Sequence, residues 1–438
     1  MRLGLVLACA LLALSGCGRA PSPAGSYGEE PTLPAPQGGL PTINTAHATS
    51  WPEGAAPTAP AGFTVTRFVE GLDHPRWIYV LPNGDVLVAE SATEPQQGGG
   101  LMGWIRNSVQ RSAGALHESA DRITLLRDSD GDGDVDARHA FAENLNQPLG
   151  MVLVGDYFYV ANTDSVVRFR YTTDAVRVPG QGEIILRLPH RDGDNGHWTR
   201  NLIANEAGTK LYVSVGSSSN IADNGIEAEE GRAAIWEFDP DGENARIFAS
   251  GLRNPVGMGW SGGDANALWV AVNERDMLGD NLVPDYITSV RDGGFYGWPF
   301  SYWGRTIDER VTPQRPELVA TALTPDYALG AHTASLGLHF YHYDGFPERY
   351  WGGAFVGQHG SWNRSELVGY KVVFVPFSNG VPSGAPQDFL TGFLNARNEA
   401  QGRPVGVAMD QTGALLVADD VGNIVWRVSY DEPAAPAQ

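Results

Sequence analysis

Cysteine is almost missing from this chain: 438 residues contain two, Cys9 and Cys17. Cys9 sits in the apolar stretch Leu3–Leu14 that follows Met1 and Arg2, which reads as a secretion signal over residues 1–16. Cleavage there leaves a single cysteine, so an intrachain disulfide is excluded even in an oxidising compartment. The sequence also contains no Cys-x-x-Cys-His for covalent haem, which excludes a built-in cytochrome module. Apart from Leu3–Leu14, which is too short to span a bilayer, long apolar runs are absent.

Positive charge is equally scarce. The chain has 30 Lys and Arg against 51 Asp and Glu, a net charge of −21. Phosphate backbones are gripped by clustered cations, so nonspecific nucleic-acid binding is excluded as the main activity. Helix-compatible runs are rare too. The 54 Gly and 29 Pro are roughly a fifth of the chain, against a usual ~12%. Helical bundles and coiled coils need segments free of both. No Gly-x-Gly-x-x-Gly opens a helix after a strand, which argues against a flavin or nicotinamide fold.

What is present starts at the N-terminus. Leu14-Ser15-Gly16-Cys17 resembles the lipobox of bacterial lipoproteins, implying cleavage before Cys17 and acylation of its thiol. The expected location is therefore the bacterial cell envelope, periplasmic side, with the membrane as a partner through that anchor. Residues 17–61 are rich in Pro, Ala, Gly, Ser and Thr and are expected to form a flexible linker. Residues 431–438 read as a tail.

Between them, residues 62–430 repeat one phrase. Glu70-Gly71-Leu72-Asp73-His74-Pro75, Glu143-Asn144-Leu145-Asn146-Gln147-Pro148, Ser250-Gly251-Leu252-Arg253-Asn254-Pro255 and Gly402-Arg403-Pro404 each lead into a short alternating strand, a turn and a second apolar strand. A weaker copy starts at Arg200-Asn201-Leu202, and a sixth unit fits residues 336–376. Such units cannot bury their faces alone and must stack. The expected fold class is all-β, a six-bladed β-propeller of four-stranded antiparallel sheets closing on itself. Long connections at 91–120, 187–200, 217–232, 273–300 and 357–368 are the expected functional loops.

Two kinds of polar cluster stand out. Asp128, Asp130, Asp132, Asp134 and Asp136, with Gly133 at the sixth place, match the front of a calcium loop, although position 12 is His139 rather than Glu. Five carboxylates so close repel unless a cation joins them, so a structural Ca2+ is expected. The second cluster holds Arg and His at the strand entries. If these loops share one mouth, several Arg groups meet in a protein of strongly negative charge, and such an inversion calls for an anion. Arg grips planar carboxylates bidentately, and a nearby His can take a proton near neutral pH.

The pieces Gly196-His197-Trp198-Thr199-Arg200-Asn201, Gly251-Leu252-Arg253-Asn254-Pro255, Asn273-Glu274-Arg275-Asp276, Tyr296-Gly297-Trp298-Pro299, His359-Gly360-Ser361-Trp362-Asn363-Arg364 and Gly402-Arg403-Pro404 occur in this order. Together they resemble the soluble PQQ-dependent sugar dehydrogenases, nearest to the L-sorbosone dehydrogenase-like branch. The resemblance implies PQQ (pyrroloquinoline quinone) over the channel mouth. Its carboxylates would meet Arg253, Asn254, Arg364 and Arg403, with Glu274, Arg275, Trp362 and Asn363 also in the cofactor-binding set. It implies a Ca2+ beside the quinone, near the backbone carbonyls of Asp276 and Met277. It makes His197 the base that takes the hydroxyl proton of an aldose hemiacetal or aldehyde hydrate, and Arg200 a stabiliser of developing negative charge. Electrons would pass to an external acceptor, a cytochrome c or a quinone system. The sequence departs from the glucose-oxidising branch at Asp276-Met277, which replaces a Gly-Pro pair, and at Arg364, which stands where that branch has lysine. A propeller metal-dependent lactonase-type hydrolase and a non-enzymatic carbohydrate-binding lipoprotein are the alternatives.

Overall fold

A computed structural model describes residues 25–38, 42–94, 110–114, 116, 118–191, 195–263 and 266–431. The signal segment, Cys17 and residues 432–438 of the expected tail lie outside the described residues.

Six four-stranded antiparallel blades follow one another. Blade 1 comprises Pro75–Val80, Val86–Glu90, Arg122–Arg127 and Ala137–Ala142. Blade 2 comprises Met151–Val154, Tyr157–Ala161, Ser165–Arg170 and Glu183–Arg187. Blade 3 comprises Leu202–Ala204, Leu211–Val215, Ala234–Phe238 and Arg246–Ser250, extended by Gly294–Phe295. Blade 4 comprises Pro255–Trp260, Leu268–Val272, Pro284–Ser289 and Tyr327–Ala331. Blade 5 comprises His339–Phe340, Ala354–Gln358, Lys371–Val375 and Gln387–Leu390. In blade 6, Pro404–Met409, Leu415–Asp419 and Ile424–Tyr430 are completed by Phe63–Glu70 from the other end of the chain, pairing Phe63 with Tyr430 and Glu70 with Ile424. That pairing closes the ring and leaves no open edge between its ends.

The strand patterns follow from stacking. The second strands of blades 1, 3, 4, 5 and 6 are buried at every residue, because a blade packs a neighbour on each face. They therefore read as continuous apolar runs, whereas the outermost Phe63–Glu70 alternates. The core is divided into clusters that join neighbouring blades, such as Trp269, Ile287 and Leu329 of blade 4 with Phe340, Val356 and Val373 of blade 5.

The inner strands approach each other backbone to backbone. A Cβ on Gly150 would lie 2.1 Å from the Leu202 amide nitrogen, and one on Gly337 would lie 2.1 Å from the Val405 carbonyl oxygen. Any side chain at either position would force two blades apart. Because strands alternate in direction, the start of each inner strand and the end of each second strand emerge at the same end of the ring. All six blades thus send two loop termini to one mouth.

Of the expected flexible linker over 17–61, residues 25–38 and 42–61 are bound to the propeller instead. Tyr27–Gly28 pairs with Leu329 and Ala328 at the outer edge of blade 4. Gln37 donates its amide to the Leu278 carbonyl, Asn44 to Trp362 and Ala48 to Ser112. Trp51 packs edge-on against Trp426 at 5.1 Å and Phe393 at 5.6 Å, and its Nε1 donates to Asp419 at 2.8 Å. Pro and Ala composition signalled weak secondary structure; it did not reveal that single aromatic and backbone groups would find partners. Trp51→Ala should therefore lower unfolding stability by about 3 kcal/mol in a denaturant titration, where a free linker would change it by less than about 0.5 kcal/mol.

Candidate active site

The mouth is lined by strand-entry and strand-exit residues of several blades. His197 precedes blade 3 and is half-buried. Its backbone amide donates to the Ser217 carbonyl, and its Nδ1 lies 3.1 Å from that carbonyl and 2.9 Å from Ser217 Oγ. Ser217 Oγ donates onward to the Ser219 carbonyl. A carbonyl only accepts, so Nδ1 carries the proton and Nε2 carries the lone pair. Burial lowers the imidazole pKa well below its ordinary value, and the charges of Arg253, Arg232 and Arg200 push in the same direction. His197 is therefore a neutral base with a fixed tautomer. Gly216 makes its position possible: a Cβ there would sit 2.5 Å from both His197 Cβ and Asn254 Oδ1. Asn254 is buried and its Oδ1 has no hydrogen-bond partner.

The arginines divide into two groups. Arg200 is fully buried, and its guanidinium donates to the carbonyls of His197 at 2.7 Å, Thr199 at 2.9 Å and Pro189 at 3.0 Å. It braces the His197 segment rather than presenting its terminal nitrogens to the mouth. Arg232, not singled out from the sequence, does similar work on Asn195, Gly216 and Ser217. Arg253 spends its nitrogens on Asn220, the Asn273 and Glu274 carbonyls, and an ion pair with Asp276 at 3.5 Å. Arg275 is bound to Asp308 and to the Asp276 carbonyl.

Arg364 and Arg403 differ. Arg364 makes one hydrogen bond, to the Asp280 carbonyl at 2.9 Å; Arg403 makes a long one to Ala46 at 3.4 Å and lies 4.9 Å over the Tyr370 ring. Both are buried and both keep an unpartnered Nε. A buried guanidinium with idle donors costs stability unless an acceptor arrives. This is the feature that fits a carboxylated cofactor. Arg76, missed by sequence reading, has an unpartnered Nε at the entry to blade 1, as does Arg200, whose terminal nitrogens are all engaged. Arg76 is ion-paired to Asp420 and lies 5.6 Å from the Trp198 ring.

Several expected ligands serve other ends. Asn363 uses both ends of its amide, accepting from Met277 N at 2.7 Å and donating to Thr42 at 2.6 Å. The half-buried Trp362 holds the N-terminal strap through its carbonyl. The expected Ca2+ beside the quinone does not fit the Asp276–Met277 turn. The Asp276 carbonyl already accepts from Arg275 Nε and Nη2 and from Asn220 Nδ2, and the Met277 carbonyl accepts from Arg310. Asp276 Oδ1 faces His332 at 3.1 Å and Oδ2 faces Arg253. A divalent cation would meet arginine charges where it needs free oxygens. The chain's own cations have taken that place.

In the acidic loop, Asp128, Asp130 and Asp136 bring carboxylate oxygens within 4.8 Å of one another. Asp132 and Asp134 do not join this group; Asp132 Oδ1 instead accepts from Asp134 N. Glu143, the first glutamate after the loop, is ion-paired with Arg177 at 2.9 Å and does not join the group.

The family model described as TrAA12-like matches residues 57–285 and 317–431. An uncharacterized protein of Borreliella burgdorferi is 28% identical over 305 residues, covering 67% of this chain and 78% of that protein. A pyrroloquinoline quinone-dependent pyranose dehydrogenase of Coprinopsis cinerea is 26% identical over 292 residues, covering 53% of this chain and 39% of that enzyme. Among solved structures, the holo form of the PQQ domain of the Coprinopsis cinerea pyranose dehydrogenase superposes with a TM-score of 0.67 at 21% identity, covering 88% of this chain and all of that domain.

Glu274 supplies a test of the site's electrostatics. Burial pushes its carboxyl up to about 7, against the opposing Arg275 amide and Arg253 charge. An acid whose folded pKa is raised binds its proton more tightly when folded, so stability falls as pH rises between about 4.3 and 7. Glu274→Gln should flatten the stability–pH slope of the cofactor-free protein between pH 5 and 8, measured by urea unfolding; an unchanged slope would mean the carboxyl titrates normally.

Proposed function

We propose that this chain, which belongs to the TrAA12-like family, is a PQQ-dependent oxidoreductase that oxidises the hemiacetal carbon of an aldose, or the hydrated aldehyde of a sorbosone-like sugar. The observation that carries the reading is the pair of buried arginines with idle Nε donors, Arg364 and Arg403, at the mouth that also holds a neutral histidine of fixed tautomer. Arg364 and Arg403 would hold carboxylates of the cofactor. When bound, PQQ supplies a two-electron acceptor for the hydride leaving the substrate carbon.

The protein's own residues do the rest. His197 Nε2 takes the hydroxyl proton, because Ser217 fixes the proton on Nδ1. The surrounding arginines disfavour a lasting imidazolium, so the proton passes on to solvent. Asn254 Oδ1, fixed beside His197 across Gly216 and lacking a partner, is suited to accept from a second hydroxyl of the sugar and so orient it. Arg200 and Arg232 hold the His197 backbone in place, an effect on geometry rather than contact with the reacting atoms.

Electrons then leave to an external acceptor, a cytochrome c or a quinone system. The signal and lipobox pattern at residues 1–17 support attachment to the periplasmic side of the cell envelope through Cys17. Convergence of Asp128, Asp130 and Asp136 supports a structural Ca2+ in the acidic loop. Calorimetric titration with Ca2+ should give one site that Asp130→Asn weakens by ~10-fold or more; identical isotherms would remove calcium from this loop.

The central test titrates the apo protein with PQQ and then follows reduction of an artificial acceptor by a panel of aldoses and aldehydes. Arg364→Ala and Arg403→Ala should each weaken PQQ binding by ~10- to 100-fold, as expected for losing a hydrogen bond between charged groups. His197→Gln should keep PQQ affinity within about threefold and lose ~10²- to 10⁴-fold in turnover. Failure of the wild-type chain to bind PQQ would sink the reading, and loss of binding alone in His197→Gln would reassign that residue.

A further inference from the structure

A second histidine at the mouth is built as a base. His359 follows the second strand of blade 5. Its ring is 13% exposed, and its Nε2 lies 2.8 Å from Asp420 Oδ2, a carboxylate with no exposure at all. A carboxylate in an ion pair only accepts, so His359 Nε2 carries the proton and Nδ1 carries the lone pair. Among the described residues, Nδ1 has no hydrogen-bond partner. The backbone is fixed as well, since His359 N donates to the Ala334 carbonyl.

Asp420 is itself anchored. Its Oδ2 also faces Arg76, in a tight ion pair, and His74 Nε2 at 3.4 Å, while Oδ1 is buried without a partner. Burial alone would raise this carboxyl. Its pairing with His359 and His74 and the charge of Arg76 more than reverse that, holding it far below the carboxylate range. The groups acting on His359 are therefore Asp420, Arg403 and Arg76. Burial, with the two arginines, keeps the resting imidazole neutral, while Asp420 stabilises its protonated form. This is the arrangement of a base oriented by a carboxylate.

The two histidines have different company. His197 shares its place with the idle oxygen of Asn254, which suits a hydroxyl donor. His359 shares its place with Arg403 and Arg76, on the side whose unpartnered donors suit the anionic cofactor. Oxidation of a hemiacetal to a lactone breaks one C–H and one O–H bond, turns the hydroxyl C–O single bond into a C=O double bond, and sends two electrons to the external acceptor. Two protons must reach solvent. His197 can carry only the one from the hydroxyl.

We propose that His359, oriented by Asp420, is a second proton-accepting residue of this mouth, taking the proton released when the electron pair passes to the external acceptor. The assignment rests on the dehydrogenase reading above and deepens it.

Stopped-flow measurement of the PQQ-loaded protein separates the two halves of turnover. Reduction by sugar is followed without acceptor, and reoxidation is followed with two equivalents of a ferricenium salt, an acceptor that takes electrons and no protons. His359→Gln should slow reoxidation by ~10²-fold at pH 7, with PQQ affinity and the rate of reduction by sugar within about threefold of wild type. In His359→Ala, added imidazole should recover part of the reoxidation rate, which a purely structural role would not allow. In the cofactor-free protein, nitrogen NMR of the ring should show the Nε2–H tautomer, shifting to a mixture in Asp420→Asn. Unchanged reoxidation in His359→Gln would overturn the proposal. So would a loss confined to PQQ affinity or to reduction by sugar, or no recovery with imidazole. Failure of the wild-type chain to bind PQQ would instead count against the parent reading, and the ring tautomer would still report the His359–Asp420 pair.

Discussion

The structure depends on how closely its inner strands meet. Where Gly150 faces Leu202 and Gly337 faces Val405, there is no room for even a methyl group between blades. That proximity sets the width of the ring, and the ring's width decides which side chains at the mouth can touch. His359 of blade 5, Asp420 of blade 6 and Arg76 of blade 1 come from three successive blades. They form one cluster because the blades are held at glycine spacing. Interiors this dense transmit displacement, so a wider ring would separate the cluster before it unfolded the fold.

The mouth concentrates positive charge in a protein of net charge −21, and it spends that charge in two ways. Arg232, Arg253, Arg275 and the terminal nitrogens of Arg200 are consumed by carbonyls and carboxylates and act as struts. Arg364 and Arg403 make one side-chain hydrogen bond each and, with Arg76, retain idle buried donors. Burying a guanidinium is costly unless its donors are matched. The first group satisfies that demand within the chain, while the second leaves it to a ligand. The same accounting removes calcium from the Asp276–Met277 turn, whose carbonyls are claimed by Arg275 and Arg310.

Much of the fold was legible in the residues. The recurring Gly/Asn-Leu-x-x-Pro entries and apolar second strands announced stacked units; that Phe63–Glu70 closes the last blade was not announced. His197, Arg364 and Arg403 were legible through the ordered motifs that carry the family resemblance. The Asp420 cluster was not. Asp419-Asp420-Val421-Gly422-Asn423 reads as an ordinary polar turn, and only its burial between blades marks Asp420 as exceptional. Residues 25–38 and 42–61 were misread for a related reason: composition reports average propensity, whereas Trp51 and Asn44 are held by particular partners hundreds of residues away.

The sequence by itself determined the all-β class, the repeat number, the acidic balance and the residues available at each strand entry. These follow from periodicity and local turn chemistry, which act over a few residues. Only the tertiary structure decided which arginines are struts and which are free, which nitrogen of His197 and of His359 is left open, and that Asp128, Asp130 and Asp136 converge while Asp132 and Asp134 do not. Those outcomes turn on hydrogen-bond saturation and burial, which depend on groups brought together across blades. Residue identity specifies donors and acceptors; the closed ring determines which of them find each other.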